Sequence, residues 1–281
     1  MIRVRKPGLL TTVQDLGRPG YAHLGVGESG AADLPSLRLA NRLVGNAESA
    51  AGLELTFGGL AARFLARTTI ALTGAPCPGT IGGRPVFQSG PIEVTPGDEL
   101  VLRAPTAGLR TYLAVRGGVA VPSVLGSRST DLLAGLGPAV VAAGDRLPIG
   151  TESEGDPCVD LAPEPALPAI WKLRITPGPR ADWFSEGAMK QLVTAAFQVT
   201  PESNRVGVRL AGPRLDRVVE TELPPEGMVL GALQVPPSGQ PVLFLADHPV
   251  TGGYPVIAVV AEPDVALAAQ ARPGQTLLFR I

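Results

Sequence analysis

The chain has 281 residues, 45% of them hydrophobic and 17% charged, and a formal net charge of -1 at pH 7. This composition excludes a disordered protein and allows two domains or one large β domain. The nearly neutral charge gives no electrostatic reason to expect binding to nucleic acid or to an acidic membrane. Helix interiors tolerate neither glycine nor proline well, so the 35 glycines and 29 prolines predict a mainly β fold with short helices.

The N-terminal residues lack the apolar core of a signal peptide, and no apolar run reaches the roughly 18 residues of a membrane span. We therefore expect a cytoplasmic protein. Cys77 and Cys158 are too few for a disulfide framework and lack the spacing of a metal site, so we expect reduced thiols. We also expect no bound metal, because the sequence has no His-x-Glu pattern and no clustered carboxylates.

The first polar cluster follows a short predicted strand at Ile2–Arg5. Gln14, Asp15, Arg18 and His23 lie within ten residues of one another among five glycines, which is the composition of a loop. A loop that displays a carboxylate, a guanidinium and an imidazole is typical of a binding site. The alternative is that Asp15 and Arg18 pair with each other and brace the turn.

One helix and a series of strands are predicted next. The residues from Ser29 to Leu43 place apolar side chains at helical spacing, with Ser29 or Asp33 as the N-cap and Pro35 in the first turn. Pro96-Gly-Asp is typical of a hairpin turn between two alternating strands. Further strands are predicted at Leu53–Phe57, Ala61–Leu65, Thr69–Thr73, Arg84–Gln88 and Leu109–Val121.

A candidate anion cradle follows the last of these strands. Guanidinium forks and hydroxyl groups suit a carboxylate or a phosphate, and here they come from Arg116, Ser127, Arg128 and Ser129. The alternative is a helix that begins at this point, with Ser129 or Thr130 capping the segment from Asp131 onward.

Residues 151–169 have the composition of a linker, with five acidic residues and four prolines and no periodicity. A weak internal repeat supports a division here, because Ile2-Arg-Val resembles Leu173-Arg-Ile and Pro96-Gly-Asp-Glu-Leu-Val-Leu-Arg resembles Pro273-Gly-Gln-Thr-Leu-Leu-Phe-Arg. We therefore predict two domains, residues 1–160 and 161–281.

In the second half, a turn at Ser203–Arg205 leads into an alternating strand. Gln234 and Gln240 bracket a Pro-Pro-Ser-Gly turn, so the flanking strands are predicted to form a hairpin. That hairpin brings Gln234 near Asp247 and His248.

The most informative stretch joins two apolar runs, Val242–Ala246 and Val256–Val260, each long enough for one buried strand. The connection between them is polar and is punctuated by prolines and glycines, as is typical of a site: Asp247, His248, Thr251, Gly252, Gly253 and Tyr254. Imidazole carries protons near neutral pH, which makes His248 a candidate catalytic residue. The alternative is that Asp247 accepts backbone N–H bonds in a turn while His248 packs beneath Tyr254.

Six segments resemble the signature segments of one family: Thr11–Gly20, Leu37–Asn46, Leu125–Asp131, Ser203–Gly207, Glu226–Met228 and Ala246–Pro255. It is the family of the C subunit of 5-oxoprolinase, also called the biotin-dependent carboxyltransferase or allophanate hydrolase subunit 2 family. It includes the kinase regulator KipA and part of the carboxyltransferase domain of urea carboxylase. The resemblance runs along the whole chain and implies two tandem cyclophilin-like β-barrel domains.

The resemblance also implies a function and partners. In this family the C subunit of 5-oxoprolinase forms a complex with the B subunit, and together with the A subunit the complex opens the lactam of 5-oxoproline to L-glutamate at the expense of ATP. A second branch moves a carboxyl group between biotin and urea. A third is a non-catalytic regulator that binds the homologue of the B subunit, which relieves inhibition of a histidine kinase. The sequence has no Gly-x4-Gly-Lys-Ser/Thr loop and no Met-Lys-Met biotin segment, so we expect this chain itself to bind neither ATP nor biotin tightly.

Both activities require a small planar amide or ureide held by paired hydrogen bonds, with fixed donors for the charge that develops on its carbonyl oxygen. By likeness, we expect His248 or Asp247 to handle the proton. We also expect the Ser203–Arg205 turn and the Asp247–Tyr254 connection to share one hollow. The expected hydrogen-bond donors are Gln234, Arg205, Tyr254 and the backbone amides of Gly252 and Gly253. The full set of expected substrate-binding residues is Arg205, Asn204, Gln234, Gly252, Gly253, Tyr254 and Arg116.

Overall fold

The computed structural model describes all 281 residues and contains twenty strands and three α-helices. The prediction of a mainly β fold with short helices is confirmed. The chain divides into two compact units. The first unit comprises Met1–Arg18, Ser29–Asp131 and Gly135–Leu167, and the second comprises Pro19–Glu28, Leu132–Ala134 and Pro168–Ile281.

The first unit holds eleven strands in two antiparallel sheets. The strands are β1 (Ile2–Pro7), β2 (Leu10–Gln14), β3 (Gly52–Thr56), β4 (Leu60–Phe64), β5 (Thr68–Gly74), β6 (Gly79–Ile81), β7 (Arg84–Pro85), β8 (Ile92–Val94), β9 (Glu99–Leu102), β10 (Arg110–Val115) and β11 (Arg146–Leu147). One sheet has the order β11-β1-β4-β9-β6-β7, and the other has the order β2-β3-β10-β5-β8. Both sheets contribute side chains to one apolar core that includes Ile2, Phe64, Leu53 and Leu113.

The first helix, α1 (Leu34–Leu43), packs on the five-stranded sheet. Its N-cap is Asp33, whose carboxylate accepts the backbone N–H of Ser36 at 3.1 Å. Ser29 is the wrong one of the two predicted caps, since it lies upstream with a φ of 54°. The apolar face of the helix packs against Tyr112 and Ala71, two outward-facing residues of the sheet.

The predicted hairpin at Pro96-Gly-Asp is wrong, because β8 and β9 belong to different sheets. The turn itself forms, with the Asp98 carboxylate accepting the Thr95 backbone N–H at 2.7 Å. Its backbone is bonded to Phe64 at the end of β4, through Gly97 N–H to Phe64 O at 2.8 Å. The turn therefore carries the chain from one sheet to the other instead of folding it back on itself.

Two further predictions in this unit need correction. The strand predicted at Arg84–Gln88 is limited to the two residues of β7. The helix predicted from Asp131 does not form, because an isolated bridge between Asp131 and Leu136 closes a turn there. Ser129, one of its two predicted caps, gives its hydroxyl to Asp15 instead.

The second unit is built around a closed barrel of seven strands. Its strands are β12 (Trp171–Pro177), β13 (Ala196–Val199), β14 (Gly207–Ala211), β15 (Glu226–Gly227), β16 (Ala232–Gln234), β17 (Val242–Phe244), β18 (Thr251–Gly252), β19 (Val256–Val260) and β20 (Thr276–Arg280). The barrel order is β12-β19-β16-β17-β14-β13-β20, and β15 pairs with β18 as a separate ribbon. The predicted hairpin between Gln234 and Gln240 is confirmed by the antiparallel pairing of β16 with β17.

Two short helices complete the second unit, α2 (Glu186–Thr194) and α3 (Glu262–Ala268). Ser185 caps α2 by accepting the backbone N–H of Ala188 at 3.0 Å, and Pro263 lies in the first turn of α3. None of the three helices has the length and hydrophobicity needed to cross a bilayer.

Candidate functional site

A cavity of about 160 Å³ lies beside the barrel of the second unit. Its volume is small compared with the roughly 300 to 1,000 Å³ of sites for drug-sized ligands, so it suits a small molecule. Three of the predicted substrate-binding residues are in its lining, which consists of Asn204, Val206, Gly207, Arg209, Gln234, Pro236, Val242, Phe244 and Tyr254. The Ser203–Arg205 turn and the Asp247–Tyr254 connection therefore contribute to one hollow, through Asn204 and Tyr254.

Three neighbouring strands, β14, β17 and β16, form the floor of this cavity. Arg209 pairs with Val242, and Val242 pairs in turn with Gln234, so these three residues form one row across the strands. Successive side chains on a strand point to opposite faces, so Arg209 and Gly207 share the cavity face. Val208 points to the other face and is buried. A Cβ at Gly207 would lie 2.9 Å from the Val242 side chain, so the glycine lets the two strands pack closely there.

Asn204 lines the cavity, and only the oxygen of its carboxamide is hydrogen-bonded within the protein. Its side-chain oxygen accepts the backbone N–H of Val206 at 2.8 Å and that of Gly207 at 3.3 Å. This Asx turn fixes the side chain and explains how the turn enters β14. The NH2 group has no partner within the protein, so Asn204 offers two hydrogen-bond donors at the cavity.

Gln234 lies at the base of the cavity and presents the opposite chemistry. Its NH2 group donates to the Tyr254 carbonyl oxygen at 3.1 Å and lies 3.8 Å from the Met228 sulfur. Both of these partners can only accept, so they fix the orientation of the carboxamide. Its oxygen has no partner within the protein, and Gln234 therefore offers an acceptor, where the sequence suggested a donor.

Gly252 permits this arrangement by coming close to Gln234. A Cβ on Gly252 would lie 2.6 Å from the Gln234 side-chain nitrogen and 3.2 Å from the Met228 sulfur. Gly253 is less constrained, because its nearest neighbour would be the Leu223 carbonyl oxygen at 3.6 Å. The contribution of Gly252 is thus the space it leaves for the Gln234 carboxamide.

Arg205, which follows the lining residue Asn204 in sequence, forms a buried ion pair with Asp247. The guanidinium contacts both carboxylate oxygens, each at 2.9 Å, and the two side chains are 1% and 0% exposed. The Asp247 carboxylate also accepts the backbone N–H of Leu132 at 3.3 Å. This two-pronged pair ties the turn before β14 to the end of the β17 segment, so we assign Asp247 and Arg205 to positioning the loops.

His248 lies next to this pair, at the edge of the site. Its Nδ1 is 2.8 Å from the Pro249 carbonyl oxygen, which can only accept, so Nδ1 carries the hydrogen and Nε2 remains an acceptor in the neutral ring. The imidazole packs on Phe244, a cavity residue, with ring centroids 6.2 Å apart. His248 therefore packs against Phe244, and not beneath Tyr254 as the alternative interpretation of the sequence had it.

Arg116, the remaining predicted binding residue, lies in the first unit. Its guanidinium donates to the Val44 carbonyl oxygen at 3.0 Å and pairs with Asp156 at 2.8 Å. The predicted anion cradle does not form, because the Ser127 and Ser129 hydroxyls donate to Asp15 at 2.6 and 2.5 Å. The Asp15 carboxylate, and not a bound anion, accepts the hydrogen bonds of the two serine hydroxyls.

The polar cluster around Asp15 is a closed structural network. Besides the two serine hydroxyls, its carboxylate accepts the backbone N–H of Gly17 at 2.8 Å and that of Arg128 at 2.6 Å. Arg18 does not provide the expected brace with Asp15; it donates to Ser129 O and lies 3.7 Å from Asp131. His23 belongs to the second unit and lies 3.1 Å from the Gly20 carbonyl oxygen.

The first unit also has two larger cavities, of about 550 and 460 Å³. Small residues and backbone line much of the first one, and Arg116, Arg67 and Glu93 line the second. Arg67 and Glu93 already pair at 3.0 Å, and hydrogen bonds from Arg67 and then Thr69 hold the pKa of Glu93 below its usual value. These two cavities are larger than the one beside the barrel. We nevertheless assign the candidate binding site to the smaller cavity, because donor and acceptor groups without a protein partner converge there.

Sequence reasoning missed six of the nine lining residues, among them Arg209 and Phe244. Phe244 lies in an apolar run and was assigned to the core, and its 6% exposure agrees with a buried residue. Arg209 occupies an exposed strand position, which is ordinary for arginine. One signal in the sequence could have identified Arg209. It lies two residues after Gly207, so both residues point to the same face of the strand that follows the Asn204 turn.

Comparison with known proteins adds to this geometry. Residues 24–281 match the family model described as carboxyltransferase domain, subdomain A and B. The C subunit of 5-oxoprolinase from Escherichia coli (strain K12) is 39% identical over 284 residues, which cover 99% of this chain and 90% of that protein. Urea amidolyase of Lachancea kluyveri is 36% identical over 303 residues, which cover 98% of this chain and 16% of that protein.

The fold is also that of a solved structure. The crystal structure of TTHA0988 superposes with a TM-score of 0.91 at 37% sequence identity and covers 100% of this chain. This chain spans 55% of the TTHA0988 chain. The two-unit β architecture is therefore shared with a protein that carries a further stretch of comparable length.

Proposed function

Because the chain belongs to the carboxyltransferase domain, subdomain A and B family, we propose that it is the C subunit of a 5-oxoprolinase, a hydrolase complex that opens 5-oxoproline to L-glutamate. The observation that carries the proposal is the 39% identity to the C subunit of a 5-oxoprolinase along 99% of this chain and 90% of that relative. A second such relative, the 5-oxoprolinase C subunit of Haemophilus influenzae, matches 95% of this chain at 34% identity.

The cavity groups suit the two ends of a lactam. In the proposed binding mode the Gln234 oxygen accepts the ring N–H, and the Asn204 NH2 group donates to the carbonyl oxygen. Ring opening adds the oxygen of water to the carbonyl carbon, breaks the C–N bond and releases the nitrogen as an amine after it takes up a proton. The donors from Asn204 stabilise the charge that develops on the carbonyl oxygen, and His248 Nε2 serves the proton transfer.

The complex proposed here contains the A and B subunits of 5-oxoprolinase besides this chain. Hydrolysis of ATP drives the ring opening, and we assign it to the assembled complex because this chain has no Gly-x4-Gly-Lys-Ser/Thr loop. This division predicts that the chain alone produces no glutamate from 5-oxoproline. Adding the A and B subunits with ATP is expected to yield glutamate and ADP, measured by coupled assays. Turnover by the chain alone would contradict the division, and a silent complete mixture would contradict the proposed function.

Substitution of His248 tests its place in the proposal. His248→Gln in the assembled complex is expected to lower kcat by about 100-fold or more, the usual effect of losing a general acid or base. The matched control is His23→Gln, because His23 is also bonded through Nδ1 to a nearby carbonyl oxygen. Equal kcat values for the two variants would remove His248 from the chemistry.

A carboxyltransferase activity is the second candidate, favoured by the 36% identity to a urea amidolyase. In that reading the same cavity holds urea, whose N–H and carbonyl groups also fit Gln234 and Asn204. The carboxyl group would come from biotin on a separate carrier chain. Incubation with a carboxylated biotinyl carrier and urea distinguishes the two functions, because only a carboxyltransferase forms allophanate.

A further inference from the structure

Arg209 stands out among the arginines of the second unit because its guanidinium has no bond or ion pair within the protein. Arg174 pairs with Asp264 at 2.8 Å, and Arg205 pairs with Asp247 at 2.9 Å. Arg209, by contrast, lies exposed on β14 and lines the cavity. Its charge is therefore available to a ligand there.

The row of paired residues gives the spacing of the groups. Arg209 and Gln234 lie on β14 and β16, which flank β17, and both pair with Val242. Strands in a sheet are about 4.8 Å apart, so the two Cα atoms are about 10 Å apart on one face. Both side chains line the same cavity of about 160 Å³, so a small molecule within it can contact the guanidinium and the Gln234 oxygen together.

We propose that Arg209 is the specificity-determining residue of the cavity and binds the carboxylate of a small carboxylated lactam whose ring N–H is accepted by Gln234. The assignment rests on the proposed function, and it decides between the candidate substrates. A lactam such as 5-oxoproline carries a carboxylate, whereas urea carries no charge and leaves Arg209 without a role. Guanidinium and carboxylate also match in geometry, since the planar fork can donate two parallel hydrogen bonds.

One carboxylate of the protein lies near this charge. Glu202 precedes β14, and its pKa is lowered by the Thr200 hydroxyl, by its own backbone and by the charge of Arg209. No ion pair joins the two side chains, so Glu202 competes only weakly for the guanidinium. Removing its charge is expected to strengthen anion binding, the opposite of removing Arg209.

Binding to the full chain, followed by calorimetry, tests the proposal with two probes: 5-oxoproline and 2-pyrrolidinone, the same lactam without the carboxylate. Arg209→Gln is expected to weaken 5-oxoproline binding about ten-fold, because the guanidinium is exposed and screened, and to leave 2-pyrrolidinone binding unchanged. Glu202→Gln is expected to tighten 5-oxoproline binding by about two-fold. The control is Lys172→Gln, which removes one positive charge from an exposed position of β12 in the same barrel.

The outcomes separate this proposal from the proposed function. If the complete mixture of subunits turns over 5-oxoproline and Arg209→Gln has the wild-type KM, Arg209 does not read the carboxylate and the function stands. If the mixture is inactive but 5-oxoproline still binds with an Arg209-dependent affinity, the function fails and the assignment of Arg209 stands. Equal affinity of Arg209→Gln and Lys172→Gln for 5-oxoproline, or no binding of either probe, overturns the assignment.

Discussion

The loop cluster of the first unit and the cavity of the second unit are both polar, and their difference lies in where the polar groups are used. In the first unit the Asp15 carboxylate accepts four hydrogen bonds from the protein, from Gly17, Ser127, Arg128 and Ser129. In the second unit the Asn204 NH2 group, the Gln234 oxygen and the Arg209 guanidinium have no protein partner. A saturated cluster stabilises the fold, and an unsaturated one can bind a ligand.

The largest expected effect is on the saturated cluster. Asp15→Ala leaves two buried hydroxyls and two backbone N–H groups without their acceptor, and we expect a loss of about 3 to 5 kcal/mol in the free energy of unfolding. Urea unfolding followed by circular dichroism measures it. The control is Asp145→Ala, because Asp145 accepts the Ala142 N–H at an exposed turn. A stable Asp15→Ala protein that has lost function would show that this cluster binds a ligand after all.

A smaller effect is expected at the unsaturated cluster, on function instead of stability. Gly252→Ala places a Cβ 2.6 Å from the Gln234 nitrogen, so the flexible carboxamide moves and its oxygen leaves the cavity. We expect KM for 5-oxoproline to rise roughly five- to ten-fold in the assembled complex, with a stability loss below about 1 kcal/mol. Gly253→Ala is the matched control, since its Cβ makes only an ordinary contact. Identical KM values for the two variants would argue against Gln234 as the acceptor.

The smallest effect concerns Glu164, which anchors the last segment of the first unit to the rest of that unit. Its carboxylate accepts the Gly74 backbone N–H at 2.7 Å and the Ser89 hydroxyl, and Ala162 N–H donates to Ser89 O at 2.7 Å. Burial raises the pKa of Glu164 above its usual value, against the hydrogen bonds that lower it. Its anchoring contribution is therefore full below the unfolded-state pKa of about 4.3 and is lost as pH rises through the folded-state pKa.

Hydrogen exchange of residues 160–164 measures this dependence. Glu164→Gln removes the charge, and its amide oxygen can accept the Gly74 N–H while its NH2 group donates to the Ser89 hydroxyl oxygen. The ratio of wild-type to variant exchange rates is therefore expected to increase as pH rises above about 4.3 and through the folded-state pKa. Glu152→Gln, at an exposed position of the same stretch, serves as the control. A ratio that stays constant with pH would show that ionisation of Glu164 does not loosen the segment.

Much of the fold follows from local sequence patterns. Alternating or continuous apolar runs correctly predicted the strands β1, β3, β4, β5, β17 and β19. The cap at Asp33, Pro35 in the first turn and apolar residues at helical spacing correctly predicted α1. The failures arise where distant residues decide. The Pro96-Gly-Asp turn bonds to Phe64 on another strand, and the Ser129 hydroxyl is taken by Asp15, 114 residues away in sequence.

Part of the lining of the candidate cavity was predictable from the sequence, and its hydrogen-bonding groups were less so. The polar turn at Asn204 and the connection ending at Tyr254 were visible as polar segments between apolar strands. The direction of the Gln234 carboxamide was not, because it depends on Tyr254 O and Met228 Sδ, which come from other segments. Nor could the sequence show that Arg205 forms an ion pair with Asp247 while the guanidinium of Arg209 has no partner within the protein. Only the contacts of each guanidinium distinguish the two.

The most direct test is a crystal structure of the full chain soaked with 5-oxoproline. We expect the lactam in the cavity beside β14 and β16, with its N–H on the Gln234 oxygen, its carbonyl oxygen on Asn204 and its carboxylate on Arg209. A lactam bound instead in either cavity of the first unit, against Arg116 or Arg128, would contradict the assignment of the site.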